Sequence, residues 1–207
     1  MKLEVNDLAC ERGGHPVFAG VTFALDSGGL LVLRGPNGAG KSSLLRLLAG
    51  LGHPASGTIT VDGRAADDDP AAFAARRVYV GHQDALKPAF TVAENLAFWA
   101  RLQRGGEIAD AEIDGALAAL GLQALRDLPA RFLSAGQRRR AALARAIAAG
   151  ADLWLLDEPT NALDAPSLEA FEAALGRHLD GGGSAIVSTH VAVGGERGAV
   201  LTLGNAA

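Results

Sequence analysis

Between an apolar run, Leu30-Leu31-Val32-Leu33, and a helical spacing of leucines at 44, 45, 48 and 51, the chain reads Gly35-Pro36-Asn37-Gly38-Ala39-Gly40-Lys41-Ser42-Ser43. This segment constrains the fold more than any other. Glycines let successive backbone N–H groups curl toward one point, and a helix starting at Lys41 adds the positive end of its dipole there. The first eight residues satisfy G-x-x-x-x-G-K-[ST], with the strand before and the helix after that this pattern requires. The spacing predicts a cradle for nucleotide phosphates, with Lys41 on the β- and γ-phosphates and the Ser42 hydroxyl at one Mg²⁺ position.

The surrounding periodicities predict a mostly parallel α/β sheet. Leu3 and Val5, then Val21, Phe23 and Leu25, alternate as half-buried strands do, and Ile59-Thr60-Val61 and Val78-Tyr79-Val80 add two short strands. From about Thr91 to Gly150 strand signals stop, and apolar residues recur at helical spacing, as at Ile113, Leu117 and Leu120, then Ala142 and Ala146. Strands return at Leu153-Trp154-Leu155-Leu156, Ala185-Ile186-Val187 and Val200-Leu201-Thr202-Leu203, with a helix from Leu168 to Leu179 between the first two. Asp67-Asp68-Asp69-Pro70 and Gly181-Gly182-Gly183 read as solvated turns.

With 207 residues the chain suits one domain. A net charge of −4 argues against an electrostatically driven nucleic-acid binder. The single cysteine, Cys10, suits a reducing compartment. No run approaches the roughly 18 to 20 apolar residues of a spanning helix, and the polar start Met1-Lys2-Leu3-Glu4 lacks the apolar core of a signal peptide.

Asp157 and Glu158 end the buried run 153–156, where open α/β sheets bind ligands. Adjacent residues there point in different directions, so one can serve Mg²⁺ and the other polarise an attacking water. Leu133-Ser134-Ala135-Gly136-Gln137 precedes a helical run that Ser134 can cap. Arg138, Arg139, Arg140 and Arg145 then read as a solvated basic face, without the aromatic platform that nucleic-acid binding would need.

The order of these segments resembles the ATP-binding cassette ATPases from about Leu3 to His190: phosphate loop, Gln83, LSAGQ at 133–137, LWLLDE at 153–158, Ala162-Leu163-Asp164, then His190. A small P-loop kinase would account for the phosphate loop and leave LSAGQ and His190 without a role. The resemblance implies a single cassette, with a catalytic core and β-subdomain at 1–83 and 151–207 and a helical subdomain at 84–150. It implies ATP and Mg²⁺ as ligands and an ATP-dependent homodimer attached to integral-membrane subunits, with no nucleic acid. Asp157, Ser42 and Gln83 would support Mg²⁺, Glu158 would be the catalytic base, and Gln83 and His190 would complete the catalytic set. Ser134, Ala135, Gly136 and Gln137 would reach the nucleotide of the partner copy, with Asp164 communicating between sites.

Two departures bear on the site. The family stacks adenine on an aromatic residue near position 12, where this chain has Arg12 and His15, either of which offers a planar cation or ring instead. Ala135 replaces a glycine, which predicts strain if that position needs a positive φ. Within the cassettes, residues 81–88 and 91–99 are similar to the haem-exporter ATPase subunits of cytochrome c maturation. That likeness implies haem export, or release of a haem-carrying partner, at the cytoplasmic face of the bacterial inner membrane. The alternatives are the ATPase of another transporter, for a drug, lipid or nutrient, and a non-transport nucleotide switch. The docking surface for membrane subunits is expected around 84–99, where Phe98 and Trp99 read equally as core anchors.

Overall fold

The structure, a computed structural model, describes residues 1–204. Two sheets are built from one chain. Strands β1 (Leu3–Arg12), β2 (His15–Leu25), β4 (Ser56–Val61) and β5 (Arg64–Ala65) form an antiparallel sheet in the order β2-β1-β4-β5. Leu3 faces Leu25 on one side and Val61 on the other, so the alternating apolar positions share one face.

The second sheet is parallel throughout: β6 (Arg77–Val80), β7 (Leu153–Asp157), β8 (Ser184–Ser188), β3 (Leu30–Arg34) and β9 (Gly198–Thr202), in that spatial order. Its inner strands are apolar on both faces because both are covered. Leu31, Leu33, Leu153, Leu155 and Ile186 pack with helix α1 (Lys41–Leu48) and β1, while Leu30, Val32, Trp154, Leu156 and Val187 pack on the opposite side. That opposite core takes in helices α3 (Val92–Arg104), α4 (Asp110–Ala119), α5 (Ala135–Ala149) and α6 (Ala165–Asp180). No helix among the described residues is long and apolar enough to cross a membrane.

Two expectations are corrected. Asp69 does not lie in a mere turn: its carboxylate accepts the Ala72 N–H at 3.0 Å and caps helix α2 (Pro70–Ala75), with Pro70 in the first turn where its missing N–H costs nothing. Leu51 lies beyond α1, because Gly50 turns to φ 69° just past the helix and leaves Leu51 exposed.

Candidate active site

Parallel pairing puts four loops on one edge of the sheet. Residues 81–83 follow β6, Glu158 follows β7, His190 follows β8 and the phosphate loop follows β3, and these strands are consecutive neighbours. The carboxyl edge of the sheet thereby gathers segments far apart in sequence.

Arg12, Asn37, Gly38, Gly40, Lys41, Ser42, Ser43, Asp157 and Glu158 line one cavity of about 360 Å³, together with Val17. The first N–H groups of α1 start at its floor with no intrahelical partners, which favours an anion. Lys41 is buried, its ammonium donating to the carbonyls of Gly35 at 2.7 Å and Pro36 at 3.1 Å. Ala39 closes the loop by donating its N–H to Pro36 O. Gly40 sits at φ 93°, and a Cβ there would approach the Phe18 and Val17 side chains to 2.8 Å, so the position demands glycine twice over.

Asp157 is 2% exposed. Its Oδ1 accepts the Ser188 hydroxyl at 2.7 Å and its Oδ2 faces the Tyr79 hydroxyl at 3.4 Å. Burial and the Asp157 charge push the Tyr79 phenol up, which keeps it a neutral donor. Ser42 and Asp157 thus bring a hydroxyl and a carboxylate oxygen to the cavity. Hard oxygen donors in small number fit Mg²⁺, which retains much of its own water.

Glu158 adopts φ 49°, a conformation non-glycine residues rarely take, at a cost of about 1 to 3 kcal/mol. Its N–H donates to the carbonyl of Ser188 at 2.9 Å and its own carbonyl accepts Arg139 Nη2 at 2.8 Å. These bonds turn the carboxylate toward the cavity, where Oε1 lies 3.5 Å from Nε2 of His190. The His190 ring itself is 58% exposed.

The structure does not bring every expected residue to this cavity. Gln83 is exposed and lines a neighbouring cavity of about 650 Å³ with Arg77, Tyr79, Trp99 and Arg145. Ser134, Ala135, Gly136, Gln137 and Asp164 line no part of the phosphate cavity of their own chain. Ser134 caps α5 in a reciprocal arrangement with Gln137, at 3.2 Å and 2.8 Å. Ala135 is the first residue of α5 and has no positive φ, so the expected strain is absent. At Gly136 a Cβ would come within 2.9 Å of the Ala162 carbonyl, which accounts for glycine there. Asp164 caps α6 through the Ser167 N–H at 3.0 Å, and the Ser167 hydroxyl first, then that N–H, hold its carboxyl below the usual range.

The reading of the arginines as a solvated face is corrected. Arg139 is 5% exposed, and its guanidinium donates to the carbonyls of Asp157 (2.6 Å), Glu158 (2.8 Å), Pro159 (3.3 Å) and Gly81 (2.8 Å). It ties the turn after β7 to the loop after β6. Arg145 reaches Asp84 O at 2.8 Å and lies over the Trp99 ring at 4.6 Å, and burial pulls it down to about 10. The signal is present in the sequence, because Arg139 and Arg145 share one helix face with Ala142 and Ala146, the alanines at helical spacing. Asn95 plays a structural part that no motif signals: fully buried, it fixes the segment before α3 by accepting Lys87 N–H at 2.7 Å and donating to Lys87, Phe90 and Thr91 carbonyls.

Against known proteins, residues 18–161 match the ABC transporter family. A cytochrome c biogenesis ATP-binding export protein CcmA from Paramagnetospirillum magneticum is 54% identical over 185 residues, 89% of this chain and 85% of that protein. The protein of the same name from Ruegeria sp. is 50% identical over 202 residues, 98% of this chain and 91% of its own. Among solved structures, an ABC transporter ATP-binding protein from Pyrococcus furiosus superposes with a TM-score of 0.86 at 25% identity, covering 98% of each chain. The ATP-binding subunit of another ABC transporter gives 0.82 at 26% identity, over 92% of this chain and 80% of that one. With the fold, the phosphate cavity and close relatives over nearly its whole length in agreement, the chain belongs to the ABC transporter family as one of its ATP-binding proteins.

Proposed function

We propose that this chain is the ATP-hydrolysing subunit of a membrane transporter complex that serves c-type cytochrome biogenesis, driving haem export or the release of a haem-carrying partner. The observation that carries the ATPase reading is the single cavity holding Lys41, Ser42, Asp157 and Glu158, with His190 beside Glu158. Likeness to CcmA proteins over most of the chain supports the pathway.

In this reading Lys41 and the α1 N–H groups bind the β- and γ-phosphates, and the backbone of residues 35–43 follows their outline. Ser42 and Asp157, joined by Gln83 if its loop moves to the cavity, would hold Mg²⁺, which would supply neutralisation of the phosphate charge. Glu158 takes a proton from the attacking water as its oxygen bonds to the γ-phosphorus and the bond to the β–γ bridging oxygen breaks, leaving ADP and phosphate. His190 orients this exchange, and Arg12 lies against the base. Ser134, Ala135, Gly136 and Gln137 close over the nucleotide of a second copy, with Asp164 between the two sites. The cassette comprises the core at 1–83 and 151–207 and the helical lobe at 84–150, and it reaches the cytoplasmic face of the inner membrane through partner subunits.

Those partners dock at the cavity beside Gln83 and along 84–99. Phe98 and Trp99 are half-buried there, and Trp99 lines the cavity together with Arg145.

Glu158→Gln tests the mechanism. ATP affinity should persist while turnover falls by about 10²- to 10⁴-fold, as expected for losing a general base; normal turnover overturns the assignment. Purification of the tagged chain from detergent-solubilised membranes tests the pathway, since recovery with an unrelated permease would keep the ATPase and reject cytochrome biogenesis.

A further inference from the structure

His190 stands at the edge of the sheet with most of its ring in solvent, so side-chain packing does not fix it. Its backbone is held instead. Arg34, the last residue of β3 and the one before the phosphate loop, donates from Nη1 to the carbonyl of Thr189 at 2.6 Å and from Nη2 to the carbonyl of Val191 at 2.9 Å. The two nitrogens straddle His190. The Val191 N–H is held by the Thr189 hydroxyl at 3.1 Å, and that hydroxyl lies 3.2 Å from the hydroxyl of Thr160, two residues after Glu158.

We propose that Arg34 is a positioning residue that fixes His190 for the reaction at the phosphate cavity. The inference rests on the reading of His190 given above. The planar guanidinium has donors spaced to bridge two carbonyls, whereas a lysine ammonium is a point donor on a flexible stem. With both neighbours of His190 tied to one group, the loop after β8 cannot move its histidine without breaking a charge-assisted bond. The same strand end also begins the phosphate loop, since Gly35 follows Arg34 and its carbonyl receives Lys41. The phosphate loop thus depends on the backbone of this strand end, and the His190 loop on the Arg34 side chain. This explains a charged residue closing an otherwise apolar run, 30–33, which nothing in the periodicity accounts for.

The test is a cycle of full-length Arg34→Gln, Arg34→Lys, His190→Ala and the double variant, followed by ATP turnover and by ATP affinity measured separately. A misplacement of about 1 Å costs on the order of 100-fold in rate. Arg34→Gln is expected to lower kcat roughly 10- to 100-fold with ATP affinity within about twofold, and Arg34→Lys to fall between it and the parent. In the His190→Ala background, Arg34→Gln should add less than about twofold, as coupled residues do. An equal Arg34 effect in both backgrounds, or a matching loss of ATP affinity, overturns the proposal. Normal turnover of His190→Ala overturns instead the role given to His190. Ring resonances of isotope-labelled His190 supply a reading independent of turnover: Arg34→Gln and Arg34→Lys should both shift them, and unchanged resonances reject the clamp.

Discussion

Replacing Arg139 by alanine should cost far more than removing a surface charge. The side chain is buried, and burial lowers its pKa, so its charge is retained only through the bonds it makes. Four backbone carbonyls, those of Gly81, Asp157, Glu158 and Pro159, lose their donor in the variant, and the Asp84 carboxylate at 3.4 Å loses its cation. At a net worth of roughly 1 kcal/mol each, this reaches the same range as the about 3 to 5 kcal/mol measured when one member of a buried charged partnership is removed. For a chain of this length that corresponds to a melting shift of roughly 6 to 20 °C. Urea unfolding followed by circular dichroism reads the loss directly, with an unchanged slope if the unfolded state is unaffected. Arg139→Lys should recover part of it, because an ammonium reaches some of the carbonyls and not all. A loss below about 0.5 kcal/mol, the ordinary range for surface substitutions, would refute the reasoning and return Arg139 to the solvated face.

Lys41→Ala should raise the ATP dissociation constant by about tenfold or more, and unchanged affinity measured by nucleotide fluorescence would remove Lys41 from the phosphate site. Arg12→Ala should weaken ATP by about two- to fivefold if its guanidinium stacks on the base, and unaltered ATP and GTP affinities would show that the base is held elsewhere. His178 stacks on Trp154 at 4.1 Å, and burial holds it below its usual 6.5. The unfolded chain therefore binds the proton first, so stability is full above about pH 6.5 and falls as pH drops below it toward the lower folded value. His178→Phe should shrink the fall in urea midpoint between about pH 7.5 and about pH 5.5, and an unchanged fall would clear His178 of the effect.

The parallel sheet was legible because its strands are short apolar runs ended by functional punctuation: 30–33 by the glycine loop, 153–156 by Asp157, 185–187 by Ser188. Lys41, Ser42, Asp157 and Glu158 meet because those strand ends meet, which the order of motifs already implied. Positions that act through backbone carbonyls were harder to see. Arg34, Arg139 and Asn95 bind groups that every residue carries, so no partner residue type marks them in the sequence. Ser188 closes the run 185–187, but nothing in its residue type signals that its hydroxyl bonds Asp157 directly. Helix α2 was missed because three aspartates before a proline look like a loop until the last of them is read as a cap.

Helix α5 runs through the core between the sheet and the outer helices, and apart from Leu143 and the two arginines its buried positions are all alanine. A rod surfaced with methyl groups has shallow ridges, so neighbours seat on it without deep interlocking. Few of its buried side chains are long enough to key into a neighbour, so Leu143 and the two arginines carry the shape-specific contacts. Arg139 and Arg145 then act as its pins, at the two points where the helix grips the loop after β6. The seating of α5 against the loop after β6 is therefore set at those two guanidinium groups.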